Sequence, residues 1–432
     1  MLHLIKKIIP ASLLDVYHLV LSWIAAVLYR HPSKKLIVVG VTGTNGKTTT
    51  SYLVSKALES VSDKTGCATT ALFKIGEKEW LNDTKMTMLG RFELQRLLRD
   101  MLKAGCTYAV IETSSQGILQ HRHRNIEYDV AVFTNLTPEH IEAHGGFENY
   151  KNAKKELFKH VAERPDKFIN GKRVPKIAVL NRLSEHAGDF VVSGFDQTVW
   201  YGIGRGPGLN AVDLQEHGWA TSFTVEGVRG VVNMPSRANV ENAMAAIATA
   251  VSLGLPLNEI IKKIGSVKGV PGRFEKIEAG QPFTVIVDYA PEPASLNVLY
   301  EAVDKLPHAR IIHVLGSAGG GRDISRRPIL GHIAGEKADL VIITNEDPYD
   351  DDPREIMEQV AKGARDAGKT NDSLKIIPDR REAIFEAIKI AEPGDLVLLT
   401  GKGCEQAIMI ADGGRIPLDE RNVAREALKA RL

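Results

Sequence analysis

Lys47 and Thr48 close the run Thr42-Gly43-Thr44-Asn45-Gly46-Lys47-Thr48-Thr49, which sits between an apolar stretch and a helix-patterned one. In such a loop Gly43 and Gly46 let backbone N–H groups approach phosphate oxygens. The Lys47 ammonium can face the β- and γ-phosphates, and the Thr48 hydroxyl is suited to Mg²⁺. The strand–loop–helix order is that of a nucleotide-binding P-loop, with one departure: the position five before Gly46 is Val41, and the glycine falls at Gly40. ATP or GTP binding follows from this motif; the reaction does not.

Glu112 ends the apolar run TYAVIE, and the run VAVFTN leads into LTPEHIEAH, which carries His140 together with Glu139, Glu142 and His144. Ends of parallel strands are where α/β sheets present chemistry, so a carboxylate and an imidazole could share a divalent cation there. Taken singly, a strand-end Glu also reads as a solvated cap and a loop His as idle. In FENYKNAKKELFKHV, helical periodicity puts Phe147, Tyr150, Lys154, Leu157 and Val161 on one face. An inward ammonium must pair, deprotonate or be modified, and a neutral amine can take up CO₂ to give a metal-binding carbamate. The plain alternative is a lysine that snorkels outward or pairs with Glu112.

These residues need a scaffold, and the chain supplies one of α/β type. Its 432 residues, 44% hydrophobic, allow several packed cores, and 55 Lys+Arg against 53 Asp+Glu give no net field for a polyanion, so no nucleic-acid partner is expected. Cys67, Cys106 and Cys404 form no C-x-x-C pair, which speaks against a disulfide framework or zinc ribbon and for a cytoplasmic protein. Strands are expected at 36–41, 108–112, 130–134 and 177–181, followed by an antiparallel extension over about 190–234 and an alanine-rich helix from 236 to 253. The glycine–proline stretch 268–275 marks a boundary, and five further strands, at 283–289, 310–315, 340–344, 374–377 and 396–400, suit a Rossmann-like sheet. The expected organisation is an N-terminal apolar helix segment (1–34), a P-loop central domain with a mainly parallel sheet (35–269) and a Rossmann-like C-terminal domain (270–432).

The ordered motifs TGTNGKTT, IETSSQGILQHR, FTNLTPEHIEAHG, YKNAKKELF, ANVENAMAA, VPGRFE, VDYAPEPASL, GRDISRRP, TNEDPYDDDP and GKGCE resemble those of the Mur ligases, nearest to the members that add the third amino acid to a muramoyl peptide. The resemblance implies an ATP-dependent, ADP-forming acid–amino acid ligase of peptidoglycan precursor synthesis. Gly43, Thr44, Asn45, Gly46, Lys47, Thr48 and Thr49 would hold ATP, and Asn239, Arg273, Asp288 and Arg322 would line its nucleotide side. Thr48, Glu112, His140 and a carbamylated Lys154 would surround Mg²⁺. Ser114, Gln120 and Arg122 would contact the muropeptide; Glu346, Asp347, Tyr349 and Glu405 would meet the incoming amino acid. Catalysis would rest on Lys47, Glu112, His140 and Lys154.

Two departures bear on substrate. Relatives of this type carry an additional domain that binds the UDP group, whereas 34 residues precede the core here, so the acceptor could be UDP-linked, lipid-linked or a polyglutamate chain; a non-catalytic ATP-binding scaffold is the remaining alternative. Glu346-Asp347-Pro348-Tyr349 stands where diaminopimelate-adding enzymes have Asp-Asn-Pro-Arg. Without that arginine's bidentate grip, lysine, ornithine or a neutral amino acid is favoured. Asp347, Asp350, Asp351 and Asp352 could attract a cationic side chain or form a solvated loop. Residues 12–29 are almost wholly apolar, with Lys6 and Lys7 before and Arg30 after; they read as a helix packed on protein or as an interfacial membrane helix.

Overall fold

The computed structural model describes residues 11–61, 63–137 and 144–431. His140, with Glu139 and Glu142, lies outside the described residues. The chain divides into two compact units, one of residues up to 267 less 216–220 and 234–236, the other of 268 onward with those two stretches.

In the first unit the apolar runs become β1 (Ile37–Thr42), β2 (Thr65–Ala68), β3 (Leu72–Ile75), β4 (Lys78–Leu81), β5 (Tyr108–Glu112) and β6 (Val130–Phe133). A small hairpin, β7 (Lys167–Ile169) and β8 (Lys172–Val174), stands apart, and the main sheet continues with β9 (Ile177–Asn181), β10 (Gln197–Ile203), β11 (Leu209–His217), β12 (Ala220–Val225) and β13 (Val228–Val232). The spatial order is β13-β12-β11-β10-β9-β6-β1-β5-β2-β3-β4, with β1 at the centre between β6 and β5, parallel to both. Strands β5, β6 and β9 are buried along their whole length, as continuous apolar runs in a parallel sheet covered on both faces must be.

The expected antiparallel extension over 190–234 is only partly found. β12 and β13 pair antiparallel, but β10 runs parallel to β9, and Tyr201–Ile203 pairs parallel with Leu209–Ala211. Alternating side chains report which face is buried and carry no information on strand direction. The direction is set by Gly204 and Gly208, both at positive φ (78° and 85°), which turn the chain back so that β11 starts beside Tyr201.

Among the described residues the α-helices of this unit are α1 (Ala11–Leu28), α2 (Lys47–Ala57), α3 (Arg91–Lys103), α4 (Ser115–Leu119), α5 (Phe147–Glu163), α6 (Arg237–Ser252) and α7 (Leu257–Ser266). Among the described residues, no helix is long and apolar enough to cross a membrane.

The second unit is a six-stranded sheet with order β14-β15-β19-β16-β17-β18, formed by β14 (Glu275–Lys276), β15 (Thr284–Asp288), β16 (Ile311–Leu315), β17 (Leu340–Ile343), β18 (Leu374–Ile376) and β19 (Leu396–Thr400). All pairs are parallel except β14–β15. Helices α8 (Pro293–Val303), α9 (Arg326–Lys337), α10 (Pro353–Asp366), α11 (Arg380–Ile390) and α12 (Glu420–Arg431) surround it, with one apolar core holding Leu299, Val341 and Val360 and another holding Val285, Ile384 and Leu428. The five strands expected from sequence are all present, within one or two residues at their ends.

Candidate nucleotide and amino-acid sites

The loop at the carboxyl end of β1 is shaped by its glycines. Gly46 caps α2 at φ 78°, and a Cβ there would lie 2.2 Å from Asn242 Oδ1; a Cβ on Gly43 would lie 1.9 Å from Thr134 Oγ1. Only glycine fits at either position. Neighbouring segments hold the loop open: Thr44 N donates to Asn135 O (2.8 Å), Asn45 N to Asn135 Oδ1 (2.9 Å), and Thr134 Oγ1 to Asn45 O (2.7 Å). The loop conformation is therefore fixed by the segment following β6 and by α6, where Asn242 also accepts from Thr50 Oγ1 (3.1 Å) and donates to Asn239 Oδ1 (3.2 Å).

Lys47 Nζ folds over the loop to donate to Thr44 O at 2.6 Å. Thr48 Oγ1 stands 3.0 Å from both carboxylate oxygens of Glu112, and Thr70 N donates to Glu112 Oε2 at 2.7 Å. β1 pairs directly with β5, with Val41 beside Glu112, so hydroxyl and carboxylate meet at one sheet edge. Thr49 follows, buried, in the first turn of α2.

Lys154 is inward, as its periodicity implied: 1% exposed, it donates from Nζ to Gly43 O (2.6 Å) and lies 4.2 Å above the Tyr150 ring. Tyr150 OH in turn lies 3.2 Å from Thr44 Oγ1. The helix α5 thus grips the phosphate loop through two side chains one turn apart. Glu112 bonds Thr48 and Thr70, not Lys154, which removes the simple Lys154–Glu112 pairing as the bond made here. The residues suit a Mg·nucleotide: a cradle that a Cβ would fill, a lysine at its rim, and a hydroxyl and carboxylate as hard oxygen donors. Glu112 and Thr48 would hold the ion. Among the described residues no group of three His, Cys, Asp or Glu side chains makes a metal cage.

Of the residues expected to meet the acceptor, Ser114 caps α4 by accepting from Gly117 N (3.1 Å). Arg122 donates to Gln120 Oε1 from Nε (3.1 Å) and Nη2 (2.7 Å), and to Met88 O. Burial holds the Arg122 guanidinium below its ordinary pKa. Arg91, at the start of α3, donates to Gln120 O; burial, then the charge of Arg122, lower its pKa. This second arginine was not anticipated, because its motif TKMTMLGRFELQ carries no chemistry legible by itself.

In the second unit, Asp288 ends β15 and accepts from Phe274 N (2.6 Å) and Ala290 N (2.9 Å). Burial raises its pKa against the opposing charge of Arg273, whose guanidinium lies 4.4 Å over the Tyr289 ring. Arg322 lies in the exposed glycine-rich loop after β16, where the buried hydroxyl of Ser317 makes no hydrogen bond.

The proposed amino-acid residues come together after β17 and β19. Lys402 Nζ, fully buried, donates to Asp347 Oδ1 (2.8 Å) and Glu405 Oε2 (2.6 Å); burial opposes its charge, but the two carboxylates outweigh it and raise its pKa. Met409 N adds a second bond to Asp347 Oδ1 at 2.7 Å. Glu346 is buried, which raises its pKa against the pull of Arg326 and Arg380, and it fills the space beside Gly401. Tyr349 takes a positive φ of 52° and packs its ring on Gly320.

The acidic loop is already partnered, which answers the idea that it attracts a cation. Asp347 has Lys402, Asp350 accepts from Asp412 N (3.0 Å), Asp351 accepts from Arg327 (3.1 Å), and Asp352 caps α10 through Arg354 N (2.8 Å). Lys402, the organiser of this cluster, was missed as a site residue although it sits inside the motif GKGCE; Cys404 beside it is buried against Gly272.

A P-loop unit whose Thr48 hydroxyl and Glu112 carboxylate meet at one sheet edge, followed by a parallel α/β unit with a polar cluster at its strand ends, defines a nucleotide-binding protein built from two α/β parts. Residues 41–250 match the Mur ligase middle domain, and residues 272–403 the Mur ligase glutamate ligase domain. The chain is 41% identical over 429 residues to the UDP-N-acetylmuramyl-tripeptide synthetase of Roseiflexus sp. (strain RS-1), covering 97% of this chain and 84% of that one. It is 37% identical over 415 residues to the UDP-N-acetylmuramoyl-L-alanyl-D-glutamate–2,6-diaminopimelate ligase of Halalkalibacterium halodurans, covering 95% and 82%. A solved diaminopimelate ligase of the same description superposes with TM-score 0.60 at 29% identity over 92% of this chain and 79% of that one. The folylpolyglutamate synthase of Mycobacterium tuberculosis, at 16% identity, shares the fold with TM-score 0.67 over 89% and 93%. The protein belongs to the Mur ligase family and is an ATP-dependent, ADP-forming ligase of peptidoglycan precursor synthesis.

Proposed function

We propose that the protein joins an amino acid to the terminal carboxylate of a UDP-N-acetylmuramoyl-dipeptide. The observation that carries this reading is the convergence on one loop of Lys47, Thr48 with Glu112, and the inward Lys154. ATP supplies the phosphoryl group that converts the acceptor carboxylate into an acyl phosphate, which the amino acid's neutral amine then attacks with loss of phosphate. Lys47 and the backbone N–H groups of residues 46–49, at the N-terminus of α2, hold the phosphates and offset their charge, the N–H groups of Thr44 and Asn45 being taken by Asn135; Thr48 and Glu112, joined by His140, would hold Mg²⁺. Lys154, as a carbamate, adds an anionic ligand and keeps one N–H for the Gly43 carbonyl. Arg122, oriented by Gln120, binds the acceptor's anionic groups. The family resemblance assigns Asn239, Arg273, Asp288 and Arg322 to the nucleotide side.

For the incoming amino acid we favour a neutral one over lysine or ornithine. Every carboxylate in the 347–352 loop discussed above has a cation, an N–H or a cap position as partner, which leaves Glu346 as the remaining acidic group, itself disfavoured as an anion by burial. Tyr349 offers one neutral hydrogen bond in place of a bidentate guanidinium.

The test is phosphate release from ATP with UDP-muramoyl-dipeptide and a panel of neutral, cationic and diaminopimelate substrates. Release restricted to neutral amino acids is expected. Release with diaminopimelate alone defeats the specificity reading; none with any amino acid passes the acceptor to a lipid-linked muropeptide or polyglutamate, tested the same way.

A further inference from the structure

Helix α1 (Ala11–Leu28) leaves much of its apolar surface uncovered. On its inward side Ser22, Ala25 and Ala26 are buried, with Leu14 and Leu21 half-buried beside them; Ser22 Oγ donates to Arg124 O (2.7 Å) and accepts from Asn125 Nδ2 (3.2 Å). Outward stand Leu13, Val16, Tyr17, Val20, Trp23 and Leu28, each between 47% and 60% exposed. At 100° per residue these outward apolar residues span about 140° of the helix. A surface helix of a globular protein normally turns polar and charged residues to that side, and an apolar area of this extent marks an interaction site.

Charge distribution selects the partner. Within Leu13–Leu28 the one acidic group is Asp15, which is turned to His121 Nε2 at 3.4 Å. Arg30, Lys34 and Lys35 follow the helix, all exposed, and Lys6 and Lys7 precede it in sequence. A broad apolar strip with aromatic residues, flanked in sequence by cations on both sides, complements an anionic lipid surface, where acyl chains take the outward arc and headgroups the lysines. A second copy pairing by a coiled-coil seam would cover only a narrow stripe of it.

We propose that α1 lies in the plane of an anionic bilayer and holds the ligase to it peripherally. The inference goes beyond the ligase reading and does not rest on it. The full chain is sedimented with vesicles of phosphatidylcholine alone or mixed with phosphatidylglycerol, following Trp23 emission. Binding is expected to the mixed vesicles, with a blue shift and weakening in high salt. Val16→Ser/Leu28→Ser should lower the partition coefficient roughly tenfold or more, and Lys34→Ala/Lys35→Ala about fivefold per charge removed, with the thermal transition unchanged. Absence of binding to mixed vesicles overturns the proposal, as does equal binding to neutral ones. Concentration-dependent dimers abolished by Val16→Ser/Leu28→Ser, without vesicle binding, would give the face to a second copy.

Discussion

Replacing Lys154 by methionine is expected to leave the fold nearly as stable while abolishing ligation. Among its contacts with described residues, Nζ donates a charge-assisted hydrogen bond to Gly43 O at 2.6 Å and sits 4.2 Å over the Tyr150 ring. The first contributes about 1.5–3 kcal/mol and the second about 2 kcal/mol when desolvated. Against them stands the several kcal/mol needed to bury an ammonium that is 1% exposed. Methionine keeps the length of the apolar stem and loses both sides of that balance, so the net stability change is about 1–2 kcal/mol, or a few degrees in Tm. Activity should fall by more than roughly 10³-fold, about 4 kcal/mol of transition-state stabilisation, because no carbamate can form. In the proposed modification the neutral amine adds to CO₂, forming an N–C bond and releasing one proton. Phosphate release, thermal melting and ¹³CO₂ NMR of the wild type check this together. Acetate or formate should partly rescue Lys154→Ala by supplying the missing carboxylate. A methionine variant of full activity, or an active wild type with no carbamate signal, refutes the argument.

Gly46→Ala places a Cβ 2.2 Å from Asn242 Oδ1 at φ 78°, so it should weaken ATP binding sharply in calorimetry and cost about 1–2 kcal/mol of stability for the left-handed backbone alone. Arg380 and Glu420 form an ion pair with both side chains fully buried, so Arg380→Met should destabilise by about 3–5 kcal/mol in urea. Adding Glu420→Leu should recover much of that loss, and unchanged stability of the single variant would show the pair to be idle. His313, between Tyr300 OH (2.7 Å) and Thr400 Oγ1 (2.8 Å), is pushed down to about 3 by burial, then by Arg380. The folded state therefore keeps it neutral while the unfolded chain takes up a proton below about pH 6.5, so its stabilisation is present above that value and lost as pH falls. Between pH 6.5 and 5 the wild type should lose about 2 kcal/mol more than His313→Gln, and parallel pH profiles would refute the assignment.

Much of the site was legible because its signals are local. The P-loop is eight consecutive residues whose chemistry needs only its own backbone, and the inward position of Lys154 follows from counting along one helix. Other features depend on segments far apart in the chain. Thr48 meets Glu112 across 64 residues and Thr50 meets Asn242 across 192, because β1 and β5 pair and α6 packs on α2. No spacing rule encodes such neighbours. Ser114, read as a substrate contact, has its hydroxyl engaged in capping α4. Asp347 and the acidic run after Pro348 read either as a field for cations or as a solvated loop, yet their partners arrive from Lys402, Arg327, Asp412 and α10, and only the folded arrangement shows the charges spent.

The sequence by itself determined the α/β class, the phosphate loop and the family, since these rest on short motifs and periodicities of 2 and 3.6 residues. The tertiary structure decided which polar groups are already satisfied, the direction of β10 and β11, and which face of α1 is turned out. Periodicity identifies a helix and its apolar arc, but the side that meets the protein is fixed by what it packs against; here the side bearing Leu21, Ser22, Ala25 and Ala26 is packed and a broad apolar strip is left exposed.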